Sequence, residues 1–208
     1  MYQVLVADDH PLFRAALGVA LKGLAAEIVL LESEDFQSTQ EVLTRTETDL
    51  LLLDLKMPDS EGLLGLIKLR SRFPQVAIVV ISANEDPQIM KEVKATGALA
   101  YIVKNTPLEE MQSIIASVLQ GNTHFPKWTA DSKQQTVSEK IAQLTPQQLK
   151  VLLMIAKGDL NKQIAYQLNV KESTIKTHIS EIFKKLGIIN RTQAALLIQP
   201  LELQADEL

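Results

Sequence analysis

Short apolar runs recur through the first part of the chain, at Gln3–Ala7, Glu27–Leu31, Leu50–Leu53, Val76–Ile81 and Ala98–Val103. Between them the spacing becomes helical. Phe13, Leu17 and Leu21 sit at i, i+4 and i+8, and Leu63, Leu66, Ile67 and Arg70 keep the same period, as do Met111, Ile114, Ile115 and Val118. Thr106-Pro107 ahead of Glu109-Glu110 predicts a helix start, with Thr as cap and Pro in the first turn. Strands that are continuously apolar, rather than alternating, need cover on both faces. Five strand–helix units of about 25 residues each therefore predict an α/β domain, a five-stranded doubly wound parallel sheet, over residues 1–120.

From Leu144 the pattern is helical throughout, which predicts a small all-α domain of four helices over 141–200. Thr145-Pro146-Gln147-Gln148 reads as a capping box with Pro in the first turn, followed by Leu149, Leu152, Leu153 and Ala156 and a stop at Gly158. Asn161 is the expected cap of a second helix carrying Ile164, Ala165 and Leu168. Asn169-Val170 makes a turn, and Ser173 opens a third helix that ends at Gly187. A fourth helix runs from about Thr192 to Ile198. The second and third have the proportions of a helix-turn-helix. On a helical wheel Ile175, Ile179, Ile182 and Leu186 form the core face of the third, with Phe183 at its margin. Ser173, Thr177, Ser180, Glu181 and Lys184 lie opposite, flanked by Thr174 and Lys176. Such a face suits a nucleic-acid groove, or simply water. Residues 121–140 are polar and lose periodicity, as a linker does, and Trp128 within them is expected to pack on a domain edge.

Charge favours the groove. Residues 1–140 hold 13 Lys and Arg against 19 Asp and Glu, a net −6, whereas 141–200 hold 8 against 3, a net +5. Residues 201–208 form an acidic tail, and the whole chain of 208 residues carries −4. A basic block behind an acidic domain points to a polyanion-binding module. Without cysteine, disulfides, thiolate metal sites and a cysteine nucleophile are excluded. His10, His124 and His178 are too scattered for a His-based metal site. Apolar runs such as Val76–Ile81 stop at six residues, against roughly 20 for a membrane span, and acids come too early for a signal peptide. A soluble, cytoplasmic protein with no membrane partner is expected.

In doubly wound sheets ligands bind beyond the carboxyl ends of the strands. Asp8 and Asp9 follow the first apolar run, Asp54 the third, Ser82 the fourth and Lys104 the fifth; Glu32 and Ser33 follow the second, at a sheet edge. Two carboxylates ~5 Å apart repel by roughly 3 kcal/mol at an effective dielectric of about 20. Three converge only around a cation or with some protonated. Oxygen ligands favour Mg²⁺, Mn²⁺ or Ca²⁺, and an open Mg²⁺ site suits a phosphate. Lys104 and Ser82 would bind phosphoryl oxygens. With no base beside a serine, a carboxylate is the expected nucleophile and an aspartyl phosphate its product. Acids and lysines also cap strand ends for solubility alone, but five such positions on four strand ends weigh against that.

The combination Asp8-Asp9, Asp54-Leu55-Lys56-Met57-Pro58-x-x-x-Gly62, Ser82-Ala83 and Tyr101-x-x-Lys104 resembles the flavodoxin-like receiver domain of bacterial two-component response regulators. The resemblance implies that Asp54 accepts a phosphoryl group from a sensor histidine kinase. It implies Mg²⁺ held by Asp8, Asp9, Asp54 and the Lys56 carbonyl, a phosphoryl contact from Lys104, and a Ser82/Tyr101 switch whose ring follows the hydroxyl inward. Lys56 and Asn84 either tune the lifetime of the acyl phosphate or are solvated surface.

Leu144-Thr145-Pro146, Asn161-Lys162-Gln163-Ile164-Ala165, Ser173-Thr174-Ile175-Lys176-Thr177-His178-Ile179 and Lys185-Leu186-Gly187-x-x-x-Arg191-Thr192-Gln193-Ala194 resemble the LuxR-type helix-turn-helix of the NarL/FixJ group. By that resemblance Lys176, Thr177 and Ser180 face base edges of double-stranded DNA. Lys162, Thr174, Lys184 and Lys185 meet phosphates, which position without specifying. His178 is structural or phosphate-facing, and the last helix, with Ala194, Ala195, Leu197 and Ile198, supports a homodimer on two promoter half-sites. One departure is Gln148, where the family usually has Glu; it keeps the capping box but cannot pair ionically with a base of the recognition helix. The expected function is a transcription regulator activated at Asp54, not an enzyme. The alternatives are a DNA-binding regulator indifferent to Asp54 phosphorylation and a Mg²⁺-dependent phosphohydrolase. The latter is disfavoured because Lys56 stands where a second acid belongs.

Overall fold

The computed structural model describes residues 1–24, 26–127 and 136–201, which form two compact units that separate between 127 and 136. Trp128 and the acidic tail from 202 onward lie outside the described residues. In the first unit β1 (Tyr2–Ala7), β2 (Ile28–Ser33), β3 (Leu50–Leu53), β4 (Ala77–Ser82) and β5 (Ala100–Val103) make one parallel sheet in the order β2-β1-β3-β4-β5. The helices are α1 (Pro11–Lys22), α2 (Phe36–Arg45), α3 (Leu63–Arg72), α4 (Pro87–Ala95) and α5 (Leu108–Leu119).

The inner strands β3, β4 and β5 and the end of β1 are apolar almost throughout because both sheet faces are covered there, whereas the edge strand β2 is partly exposed. Val4, Val6, Leu50, Leu52, Val79, Ile81, Ala100 and Ile102 pack with Leu17 and Leu21 of α1 and with Met111 and Ile115 of α5. The alternate positions Leu5, Leu51, Leu53, Ile78, Val80 and Tyr101 are buried as well. The start of α5 differs from expectation. Pro107, not Thr106, is its N-cap, and its carbonyl accepts from Glu110 and Met111. Thr106 belongs to the turn leaving β5, where its N–H donates to the Val103 carbonyl at 2.9 Å.

Gly65 fixes α3 against the loop after β3. A Cβ there would stand 1.8 Å from the Ser60 carbonyl oxygen and 3.1 Å from the Phe36 ring. Helix propensity alone favours alanine over glycine by about 1 kcal/mol. Overpacking against backbone outweighs it, so Gly65→Ala is expected to destabilise the first unit by about 1–3 kcal/mol, read from the urea midpoint.

The second unit comprises α6 (Val137–Ile141), α7 (Pro146–Ala156), α8 (Asn161–Gln167), α9 (Glu172–Leu186) and α10 (Arg191–Ile198). Its core joins Leu149, Leu152, Ile155, Ile164, Ile175, Ile182, Leu186, Ala194 and Ile198. Helix α6 falls in the stretch expected to be linker. A reciprocal cap creates it: Glu139 N–H donates to Thr136 Oγ1 at 3.1 Å and Thr136 N–H to the Glu139 carboxylate at 2.9 Å, while Ile141 is buried. The predicted capping box of α7 is present, with Gln148 N–H donating to Thr145 Oγ1 and Thr145 N–H to Gln148 Oε1, both at 3.2 Å. Helix α8 is capped by Leu160 rather than Asn161, because the Asn161 side chain accepts from Arg191 and Gln163 reaches back to the Leu160 N–H instead. Helix α9 begins at Glu172, one residue before Ser173, and ends at Gly187 in the left-handed region at φ 67°.

Candidate functional site

Two strand ends, those of β1 and β3, deliver the acids to one place. Asp8 and Asp54 are each 2% exposed, and Asp9 is half-buried beside them. Lys104, from the end of β5, places Nζ 2.7 Å from Asp54 Oδ2 and 2.8 Å from Asp8 Oδ2. The second contact is an ion-pair distance without hydrogen-bond alignment, so Asp8 Oδ2 accepts no hydrogen bond, and neither does Asp9 Oδ1. Asp54 Oδ1 accepts from the Lys56 N–H at 3.0 Å. Burial pushes the Asp54 carboxyl above the usual carboxylate range, against the opposing pull of Lys104 and the Lys56 N–H. Burial would lower Lys104, but Asp54 and Asp8 outweigh it and hold the ammonium above its ordinary value. The charges do not balance: one ammonium faces three carboxyl groups. A hard divalent cation fits the two carboxylate oxygens left without a hydrogen bond.

Above the acids opens a cavity of about 680 Å³, lined among others by Asp9, Phe13, Asp54, Lys56, Ser82 and Lys104. The Ser82 hydroxyl ends β4 and accepts from the Asn84 N–H at 3.2 Å. Tyr101 is wholly buried, its ring inward, and donates from its hydroxyl to the Asn84 carbonyl at 2.6 Å. Burial pushes that phenol up to about 12, with the Ser82 hydroxyl opposing. Lys56 is exposed at the rim, and the Asn84 side chain accepts from the Asp86 N–H at 2.7 Å within its own loop. Glu32 and Ser33 stay apart: Glu32 accepts from Arg14 at 3.3 Å and Ser33 pairs with Thr39 at 2.8 Å.

The second unit presents a polar face on α9. Lys176, Thr177, Ser180, Lys184 and Lys185 are exposed, as are Thr174 and, on α8, Lys162. Ile175, Ile182 and Leu186 are buried on the opposite side, and Ile179 only half so. His178 is half-buried, with Nδ1 out of reach of any hydrogen-bond partner. Lys176 pairs with Glu172 at 3.1 Å along the helix, an exposed i,i+4 pair worth about 0.3–0.5 kcal/mol that a stronger anion can displace.

Gln148 keeps the contact that its substitution for Glu put at issue. Its Oε1 accepts from Lys185 Nζ at 2.8 Å, and its Nε2 donates to Glu181 at 2.8 Å. Lys185 also donates to the Gln143 carbonyl at 3.0 Å. A glutamate here would keep the cap and the lysine but turn a carboxylate toward Glu181. Gln148→Glu is therefore expected to lower stability by about 1 kcal/mol, and adding Glu181→Gln to restore it, measured by urea denaturation.

Residues 4–116 match the family described as response regulator receiver domain, and residues 142–198 match the luxR family of bacterial regulatory proteins. The chain belongs to the two-component response regulators, with a receiver domain followed by a LuxR-type DNA-binding domain. It is 38% identical to the glycerol metabolism activator of Pseudomonas putida, across 94% of each chain. It is 30% identical to the oxygen regulatory protein NreC of Staphylococcus aureus, across 92% of this chain and 94% of that one. Among solved structures, RcsB of Salmonella enterica serovar Typhimurium, bound to promoter rprA in the presence of the phosphomimetic BeF3-, is 26% identical with a TM-score of 0.54. That likeness covers 95% of this chain and 98% of RcsB.

Two participants escaped the sequence reading. His10 joins the acids, with Nδ1 2.7 Å from Asp9 Oδ1 and 3.1 Å from Asp8 Oδ1. Its place directly after Asp8-Asp9 was the available signal. Arg14 donates to the Asp8 carbonyl at 2.6 Å, one helical turn into α1, and its spacing alone did not mark it.

Proposed function

We propose that Asp54 accepts a phosphoryl group from a phosphohistidine of a cognate sensor histidine kinase, and that the phosphorylated chain dimerises and binds promoter half-sites. The observation that carries this reading is the buried Asp54 carboxylate, held by Lys104 beside Asp8 and Asp9 at the floor of an open cavity. An Asp54 oxygen forms the new bond to phosphorus as the P–N bond of the donor breaks and its electron pair returns to the histidine nitrogen. Asp8, Asp9, Asp54 and the Lys56 carbonyl would hold Mg²⁺, which when bound neutralises charge on the phosphoryl oxygens. Lys104 then exchanges a carboxylate for a phosphoryl oxygen, and the Ser82 hydroxyl, at the cavity wall, donates to another.

Residues 1–120 serve as receiver, 121–140 as the connection that includes α6, 141–200 as DNA reader and 201–208 as tail. Lys176, Thr177 and Ser180 meet base edges, and Lys162, Thr174 and Lys184 meet phosphates, as does Lys185 once its ammonium leaves the Gln148 and Gln143 oxygens. The chain acts in the cytoplasm, where promoters are accessible, and turns over no substrate beyond its own acyl phosphate. Incubation with Mg²⁺ and a small acyl-phosphate donor tests the reading. Intact mass should rise by one phosphoryl group, and removal of Mg²⁺ with chelator should prevent it. Uptake that is unaffected by chelator sinks the metal assignment.

A second reading has one observation in its favour. Tyr101 lies inward, its hydroxyl fixed on the Asn84 carbonyl at 2.6 Å, an arrangement that a regulator binding DNA independently of Asp54 would keep in all its forms. DNA affinity of the unmodified chain equal to that of the phosphorylated chain would favour this second reading.

A further inference from the structure

Ligand atoms of Asp8, Asp9, His10 and Asp54 all lie within 4.8 Å of one another. In an octahedron with bonds of ~2.1 Å, adjacent ligands stand about 3.0 Å apart and opposite ligands about 4.2 Å apart. The separations of His10 Nδ1 from Asp9 Oδ1 and Asp8 Oδ1, 2.7 and 3.1 Å, are those of adjacent ligands. Against the 4.8 Å within which all four atoms lie, opposite positions call for a contraction of at most about 0.6 Å. Asp8, 2% exposed, carries an oxygen whose close contact is the Lys104 ammonium at 2.8 Å, without an aligned hydrogen bond. Backbone geometry holds the imidazole in place: the His10 N–H donates to Asp8 Oδ1 at 2.8 Å, and Pro11 begins α1 directly after it.

We propose that His10 supplies an imidazole nitrogen to the divalent cation of this site, making it a mixed nitrogen–oxygen site rather than an all-oxygen one. The proposal rests on the reading that Asp8, Asp9 and Asp54 hold a cation. The ring is 64% exposed, so its Nε2–H can face water while the Nδ1 lone pair faces the metal. With no cation bound, the other tautomer donates from Nδ1 to Asp8 Oδ1 at 3.1 Å. Mg²⁺ gains little from an imidazole; Mn²⁺, though it too favours oxygen, gains more, and Co²⁺ more again along the order Mn²⁺ < Fe²⁺ < Co²⁺. The chain should therefore prefer Mn²⁺ over Mg²⁺ more strongly than the three carboxylates alone would dictate.

Pulsed electron-spin-echo spectroscopy of the Mn²⁺-loaded full chain tests this without reference to phosphorylation. Wild-type protein should show ¹⁴N modulation from one imidazole, and His10→Ala should lose it. In competition titrations the Mn²⁺-to-Mg²⁺ affinity ratio should fall roughly tenfold in the variant. Mn²⁺ bound without nitrogen modulation, or modulation that persists in His10→Ala, overturns the proposal while leaving the carboxylate site standing. No Mn²⁺ bound by the wild-type chain overturns both.

Discussion

Asp54→Asn is expected to take up no phosphoryl group under conditions in which the wild-type chain gains one. An amide offers neither the charge nor the nucleophilicity of a carboxylate, and the loss of covalent chemistry should slow uptake by at least ~10³-fold, about 4 kcal/mol of barrier. The variant should still fold. Asparagine matches aspartate in shape, its carbonyl can keep the Lys56 N–H, and the Lys104 ammonium, 2.8 Å from Asp8, retains one anionic partner. Intact mass and peptide mapping provide the readout, with DNA affinity before and after treatment with the donor alongside. A regulator switched at Asp54 loses the treatment-dependent gain in affinity but keeps its basal binding. A hydrolase would instead lose turnover of the donor. A regulator indifferent to Asp54 would bind DNA equally in both forms.

The second large effect concerns α9. Lys176→Ala should weaken binding to a selected promoter site by about 1–3 kcal/mol, and relax the preference at one base position. Its pair with Glu172 is exposed, so little of that loss reflects stability of the fold. Lys184→Ala should behave differently. A phosphate contact carries no base information, so affinity should fall alike on specific and random duplexes, and the slope of log K against log salt should shrink by about one. Binding titrations at several salt concentrations on both duplexes separate the two residues. Equal losses from both variants on both duplexes would remove the assignment of Lys176 to base edges.

Most of the first unit was legible because its inner strands are covered on both faces, leaving short continuous apolar runs such as Leu50–Leu53; the similar run Val151–Ala156 is marked as helix by the capping box ahead of it. Helix α5 was equally legible from Met111, Ile114, Ile115 and Val118, all buried. Helix α4 left a weaker trace, since Met90 and Val93 are its only buried apolar residues. Element ends were less legible, because a side chain that could cap locally was engaged elsewhere. Asn161 accepts from Arg191, thirty positions away, and so yields the cap of α8 to Leu160.

The site divides in the same way. That Asp8, Asp9, Asp54, Ser82 and Lys104 follow apolar runs is a local property of the chain, and the rule that ligands meet the carboxyl ends of parallel strands brings them to one rim. Sequence by itself therefore determined the fold class, the acid cluster and the polar face of the recognition helix. Only the tertiary structure decided that Lys104 spans Asp54 and Asp8, that His10 turns its imidazole into the cluster, that Tyr101 lies inward on the Asn84 carbonyl, and that Gln148 bridges Glu181 and Lys185. The physical reason is range. Periodicity and capping are set within a few residues, whereas these contacts join side chains brought together by backbone direction, strand order and helix packing, and individual rotamers settle them only once the chain has closed around them.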